Sequence, residues 1–128
     1  MSADFAELDF RQTPLGELTL RRRRLLSFDG LEIFEVKLGE YFLMSSLFHD
    51  VEVALADLGL AAPNATATAP ELDVVVGGLG LGYTALAALK NPAVRSLIIV
   101  EALAPVIEWH QRGLVPLGPS LRCVPIVE

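Results

Sequence analysis

A glycine-rich turn between two β-branched runs limits the possible folds of this chain more than any other feature. The runs Leu72–Val76 and Ser96–Val100 are typical of strands buried on both faces of a parallel sheet. Between them, Tyr83–Lys90 is rich in alanine and leucine and predicts a helix that ends before Asn91-Pro92. A strand, a turn, a helix and a second strand in this order predict a βαβ unit and therefore an α/β fold.

The turn and the end of the second strand carry the chemistry of this unit. Glycine lets the backbone turn sharply and approach a ligand without a Cβ atom in the way, and the start of the following helix offers free N–H donors. Glu101 ends the second strand, where a carboxylate can accept hydrogen bonds from ribose hydroxyls. The pattern predicts a site for a nucleoside-containing ligand, with a purely structural βαβ unit as the alternative. The candidate binding residues are Gly77, Gly78, Leu79, Gly80, Gly82, Glu101 and Ala102.

The spacing of the glycines bears on which nucleoside is bound. A dinucleotide site would carry Gly-x-Gly-x-x-Gly, and the glycines here do not fall in that register. Gly78-x-Gly80-x-Gly82 is closer to the loop of adenosylmethionine-type folds, which passes around an amino-acid end and a sugar and does not grip a pyrophosphate. This register favours an adenosylmethionine-type ligand.

The sequence before this unit predicts an antiparallel β-hairpin subdomain over residues 1–46. Two predicted strands, 17–25 and 31–38, flank Asp29-Gly30. Asp-Gly between apolar runs favours a hairpin because both central residues of the turn need positive φ. A further short strand is predicted at 41–44.

A helix and a linker are predicted over residues 47–70. Ser45 and Ser46 are candidate caps for a helix from about 47 to 58, and Gly59 is its expected end. The stretch 60–70 is small, uncharged and bounded by prolines, which is typical of a flexible connector. Helical spacing places one apolar stripe along this helix, formed by Leu47, Val51, Ala54, Leu55 and Leu58.

Residues 71–128 are predicted to form the first half of a Rossmann-like parallel sheet. After the second strand, a helix starts near Pro105 and ends before Gly113, and a third strand is predicted at 121–127. A sheet of three parallel strands leaves an edge and apolar surface uncovered. We therefore expect the chain to associate with itself or to belong to a longer protein.

Several segments resemble the spermidine synthase-like aminopropyltransferases, which have the class I S-adenosylmethionine-dependent methyltransferase fold. The most specific part runs from the strand and glycine loop at 72–80, through Asn-Pro-Ala-Val-Arg-Ser-Leu-Ile-Ile-Val-Glu at 91–101, to Pro-Val-Ile-Glu at 105–108. Upstream, Gly-Glu-Leu at 16–18, Phe-Asp-Gly at 28–30 and Glu-Tyr-Phe at 40–42 are similar to the N-terminal hairpins of that family. The resemblance covers the N-terminal portion of the family's sequences.

The resemblance implies a transferase and its ligands. The glycine loop and Glu101 would hold S-adenosylmethionine or its decarboxylated form as cosubstrate, and the reaction would transfer an aminopropyl group to a polyamine. The resemblance also implies a homodimer.

Three departures from the family pattern leave other functions open. Gly80 stands where the family's loop carries Asp, and Met44-Ser45-Ser46 replaces a Tyr-His-Glu cluster at the start of the helix. The family's catalytic Asp would come after Glu128, so the catalytic residues are unknown. We predict that the 128-residue chain alone is inactive. A methyltransferase and a non-catalytic module of the same fold are the alternatives.

Charge and targeting signals exclude several classes of function. The formal net charge of −6 argues against a nucleic-acid binder, which would show a basic face. The N-terminus lacks the basic and apolar regions of a signal peptide, and no apolar run approaches the roughly 20 residues of a membrane span. The cytoplasm is the expected location.

Single residues with possible chemistry have simpler interpretations. Cys123, the only cysteine, is predicted to be packed, and His49 and His110 lie too far apart in sequence to predict a metal site. Arg21–Arg24 alternate between strand faces, which favours a solvated or acid-paired surface over a phosphate-binding patch. Trp109 is predicted to be packed.

Overall fold

The computed structural model describes residues 4–64 and 71–128. They divide into two compact units, one up to Phe48 and one from His49 onward. Among the described residues, no helix is both long and apolar enough to cross a lipid bilayer.

The first unit is an antiparallel sheet of four strands in sequence order, and it confirms the predicted β subdomain. The strands are β1 (Phe5–Thr13), β2 (Gly16–Leu25), β3 (Leu31–Leu38) and β4 (Tyr41–Ser45). The predicted hairpin joins β2 to β3, and Asp29 and Gly30 have φ of 52° and 73°. Strand β1 was not predicted, because its alternation is interrupted by an irregularity between Glu7 and Asp9.

The arginine run on β2 is acid-paired, as predicted. Arg21 and Arg23 lie on the same face and both donate from Nε to Glu35, whose side chain is 2% exposed. Arg22 lies on the opposite face, and its Nε atom is 3.7 Å from Oε2 of Glu32. The arginines therefore hold β2 to β3 and do not form a single basic patch.

The second unit is a three-stranded parallel sheet with helices, among the residues described. Its elements are α1 (Asp50–Asn64), β5 (Leu72–Gly77), α2 (Tyr83–Lys90), β6 (Val94–Val100), α3 (Ala104–Gln111) and β7 (Ile126–Val127), with sheet order β5-β6-β7. The βαβ unit and the helix after it are confirmed. The third strand is shorter than predicted, because a 3₁₀ turn at Pro119–Leu121 and a further turn occupy the start of the predicted run.

Helix α1 differs from its prediction at both ends. It starts at Asp50, and Ser45 and Ser46 do not cap it. The hydroxyl of Ser45 accepts from the Leu47 N–H, and that of Ser46 accepts from the Phe34 N–H. The helix continues through Gly59, since one glycine costs a helix only about 1 kcal/mol. Residues 60–64 of the predicted connector are therefore helical, and 65–70 lie outside the described residues.

Most of the predicted apolar stripe of α1 is not buried. Ala56 and Leu60 are buried, whereas Val51, Leu55 and Leu58 are exposed. Helical spacing identifies an apolar face, but the elements available to cover it decide whether that face is buried.

The expectation that β5 and β6 are buried on both faces is also wrong. Paired residues of a parallel sheet share a face, and on one face Val76 and its partner Ile99 are buried. On the other face Val75 is 66% exposed and its partner Ile98 is exposed as well. Cys123, predicted to be packed, is likewise exposed.

Candidate functional site

The glycine loop and Glu101 meet at the carboxyl ends of β5 and β6. Gly77 pairs with Val100 across the two strands, and the Gly78 N–H donates to the Val100 carbonyl at 2.7 Å. The loop then runs to Gly82, and α2 begins at Tyr83. This edge of a parallel sheet is where ligands bind in open α/β folds.

Three of the loop glycines have a backbone conformation that other residues rarely adopt. The φ angles of Gly78, Gly80 and Gly82 are 93°, 52° and 94°. A Cβ atom built on Gly77 or Gly78 would have no heavy atom of the described residues within 4 Å. These two glycines therefore leave an open approach to the backbone, as a ligand site requires.

Glu101 is buried and faces the loop. It is 8% exposed, and its Oε2 accepts from the Leu79 N–H at 2.8 Å and from the Gly80 N–H at 3.4 Å. Its Oε1 accepts from the Leu103 N–H at 2.9 Å. Two carboxylate oxygens offer about four lone-pair sites, and the three N–H groups occupy three of them, so about one acceptor site is left for a hydroxyl group.

The same hydrogen bonds argue against a phosphate in this loop. A phosphate-binding loop needs free N–H donors, and those of Leu79 and Gly80 already bond to a carboxylate. The negative charge of Glu101 would also repel a phosphate at this position. The loop is therefore suited to a neutral sugar or to a cation.

The remaining predicted residues lie at the same edge with different exposure. The Leu79 side chain is buried and Ala102 is exposed. Gly82 is enclosed, because a Cβ atom there would lie 2.6 Å from Leu121 Cδ1. The structure thus brings the seven candidate residues together, with Gly77, Gly78 and Ala102 at the surface.

Two contacts were not predicted, one to the loop itself and one to Tyr83, the first residue of α2. The Nε2 atom of His110 lies 2.8 Å from the Gly80 carbonyl oxygen. The rings of His49 and Tyr83 stack at a centroid distance of 3.9 Å and an interplanar angle of 7°. The helical spacing of Val106, Trp109 and His110 places all three on the buried face of α3, where Trp109 is packed as predicted, but this spacing does not identify Gly80 as a partner of His110.

The start of α1 changes one comparison with the family pattern. The sequence pattern predicts that Met44-Ser45-Ser46 stands at the start of this helix, whereas the helix begins at Asp50. The residues at its start are therefore Phe48-His49-Asp50. They are chemically close to the Tyr-His-Glu cluster whose loss was predicted.

The acidic first turn of α1 acts on Tyr83. Burial raises the pKa of the Tyr83 hydroxyl, and the charge of Glu52 raises it further. The hydroxyl is therefore protonated at neutral pH.

Among the described residues, no group of three or more His, Cys, Asp or Glu side chains is arranged to hold a metal ion.

The comparisons with known proteins concern the fold. No protein-family model and no curated protein matches the sequence. Spermidine synthase from Thermotoga maritima matches with a TM-score of 0.66 and 19% identity over 94% of this chain and 40% of that chain. A spermidine synthase in complex with the transition state analogue AdoDATO matches with a TM-score of 0.62 and 19% identity over 94% of this chain and 39% of that one.

These matches confirm the predicted fold. The chain spans about 40% of the length of the solved structures that it matches. Over that part, it has a spermidine synthase-like α/β fold with an antiparallel four-stranded sheet and a parallel sheet.

Proposed function

We propose that the chain carries the nucleoside-binding half of an aminopropyltransferase, with S-adenosylmethionine or its decarboxylated form as cosubstrate. The observation that carries the proposal is the buried Glu101 carboxylate against the loop, which suits a ribose and disfavours a phosphate. The similar fold of a spermidine synthase in complex with AdoDATO supports it.

The proposed reaction is a nucleophilic displacement at carbon. The lone pair of an amine nitrogen forms a bond to the aminopropyl carbon next to the sulfonium, and the carbon–sulfur bond breaks with its electron pair going to sulfur. The amine must be neutral for this attack, and because alkylamines are mostly protonated at neutral pH, a base must first accept a proton from the nitrogen. We assign no described residue to this base.

The acceptor amine is proposed to bind near the stacked rings of His49 and Tyr83. Tyr83 directly follows the loop, so the stack lies next to the proposed cosubstrate site. Asp50 and Glu52 bring two carboxylates to the first turn of α1, and both carboxylates and aromatic faces attract cations. The homodimer and the cytoplasmic location implied above stay predictions.

The proposal predicts that loss of the Glu101 charge weakens nucleoside binding. We expect Glu101→Gln to raise the Kd for decarboxylated S-adenosylmethionine by roughly 30-fold, equivalent to about 2 kcal/mol for charged hydrogen bonds to a ribose. Isothermal titration calorimetry measures this. Asp73→Asn is the matched control, because it also removes one negative charge but lies at the opposite end of β5.

Calorimetry with S-adenosylmethionine and with its decarboxylated form separates the aminopropyltransferase from the two alternative functions. Tighter binding of S-adenosylmethionine than of its decarboxylated form would favour the methyltransferase. Gly80 is compatible with this alternative because it places no acidic side chain in the loop. Absence of binding of both ligands would favour the non-catalytic module. Equal affinity of Glu101→Gln and the unaltered chain would contradict the proposed role of this carboxylate.

A further inference from the structure

His110 connects α3 to the glycine loop at two points. Its Nε2 atom lies 2.8 Å from the Gly80 carbonyl oxygen, and a Cβ atom built on Gly82 would lie 3.2 Å from its Cε1. The side chain is 5% exposed and sits in the last turn of α3. One buried ring therefore contacts Gly80 and occupies the space beside Gly82, two of the three glycines whose left-handed conformation shapes the loop.

The contact with Gly80 determines which ring nitrogen carries the proton. A carbonyl oxygen only accepts, so Nε2 must be the N–H donor in the neutral ring. Nδ1 is then a lone-pair acceptor, and it is buried with no hydrogen-bond partner among the described residues. A second proton on Nδ1 would create a buried N–H, and a charge, without an acceptor.

One charged group acts on this ring, and a second lines the cavity beside it. Glu101, at the end of β6, favours the protonated ring, and Arg122, which follows the 3₁₀ turn, lines the same cavity as His110. That cavity has a volume of about 290 Å³ and lies beside the ring. Burial is the largest effect and lowers the pKa of His110, although the Gly80 hydrogen bond and Glu101 act in the opposite direction.

We propose that His110 is a positioning residue for the nucleoside site: its neutral ring holds Gly80 and Gly82 in the conformation that keeps the loop against Glu101, and protonation of the ring releases the loop. A charged ring gains free energy by moving toward the cavity and solvent, which breaks the contact with Gly80. Ligand affinity would then fall as the pH falls. This inference rests on the proposed function for its effect on affinity, but not for its effect on the loop.

The loop can be observed without a ligand. In the ¹⁵N-labelled chain, we expect the Gly80 and Gly82 amide signals to shift between about pH 8 and pH 5.5 along the same titration curve as the His110 ring. In His110→Gln, whose side-chain N–H can still donate to Gly80 but does not titrate in this range, these signals should not move. Loop amides that stay fixed while His110 titrates, or that still shift in His110→Gln, would overturn the inference.

The ligand arm uses 5′-methylthioadenosine, which has no group that titrates in this pH range. We expect its Kd to rise from pH 8 to pH 5.5 in the unaltered chain, by less than about tenfold because burial lowers the pKa of His110, and to stay constant in His110→Gln. His110→Leu, which has no donor, should bind about tenfold more weakly at both pH values. A merely structural role would weaken all variants without this dependence on pH.

The two arms fail in distinguishable ways. A loop that follows His110 without any binding of 5′-methylthioadenosine would contradict the proposed function and leave the coupling intact. Binding that is equally tight at both pH values, with a loop that does not move, would contradict the role of His110 and leave the proposed function intact.

Discussion

The loop glycines differ in what a side chain would meet at each of them. Gly77 faces open space, whereas Gly82 is packed against Leu121 and His110 and has a φ of 94°. Gly77 therefore leaves the backbone accessible, whereas the absence of a side chain at Gly82 lets the loop pack closely onto the rest of the unit. Both occur in one glycine-rich run and cannot be told apart by residue type.

We expect Gly82→Ala to lower the free energy of unfolding by about 2 kcal/mol. The left-handed φ strains a residue with a Cβ atom, and that atom must displace the buried Leu121 side chain. Urea unfolding followed by circular dichroism measures the change. The matched control Gly77→Ala should cost less than about 0.5 kcal/mol, since surface substitutions have small effects. Equal costs at the two positions would contradict this account.

His110 also makes stability depend on pH. Because burial lowers its pKa in the folded chain, the unfolded chain binds a proton first as the pH falls. The free energy of unfolding should therefore be fully developed above the unfolded pKa of about 6.5 and should decrease as the pH falls below it. Urea titrations at about pH 7.5 and pH 5.5 test this, and His110→Gln should show a smaller decrease than the unaltered chain. An identical decrease in both proteins would assign the effect to other groups.

At the scale of elements, β2 and β3 are joined by a buried charge cluster. Glu35 bonds to Arg21 and Arg23, and the Arg21 guanidinium lies 5.0 Å from the ring centroid of Phe42. Buried ionic groups contribute little net stability compared with apolar residues, but removing one partner leaves the others without compensation. The cluster therefore favours the pairing of β2 with β3 that brings Arg21 and Arg23 to Glu35.

We expect Glu35→Gln to cost about 3 kcal/mol of unfolding free energy, because two partly buried guanidinium groups lose their counter-charge. Glu32→Gln removes the same charge from an exposed pair with Arg22 and should cost less than about 0.5 kcal/mol. Urea unfolding of both variants is the measurement. A ratio close to one would show that burial of Glu35 does not matter.

At the scale of the whole molecule, one face of the parallel sheet is exposed among the residues that the structure describes. Val75, Ile98, Val100 and Val127 are exposed on this face, and β5 is an edge strand. The matched spermidine synthases have more than twice as many residues as align with this chain. Parallel sheets are stable when both faces are covered, so this apolar surface favours association.

We expect the chain to associate with increasing concentration through this face. Val75→Lys, at the centre of β5, should shift the equilibrium toward the monomer in sedimentation velocity experiments, because burying a lysine charge is costly. Leu15→Lys, at an exposed turn of the first unit, is the control and should have no effect. Stronger suppression by the control would place the contact elsewhere.

The sequence by itself determined the elements whose signals are local. Three elements were predicted at their observed positions: the helix Tyr83–Lys90, the strand Leu31–Leu38 and the turn at Asp29-Gly30. Strand runs, prolines and positive-φ glycines determine the backbone conformation within a few residues, so their effect can be predicted from the sequence. The position of Glu101 at the end of β6 followed from the same pattern. Its role in binding a nucleoside stays a prediction.

Tertiary structure decided what is buried and what meets across the chain. Val51, Leu55 and Val75 have apolar side chains at regular spacing and are nevertheless exposed, because burial depends on which elements cover them. The contact between His110 and Gly80 joins residues 30 positions apart, and no local rule predicts it. Periodicity is a property of neighbouring residues, whereas packing is a property of surfaces that come together only in the folded chain.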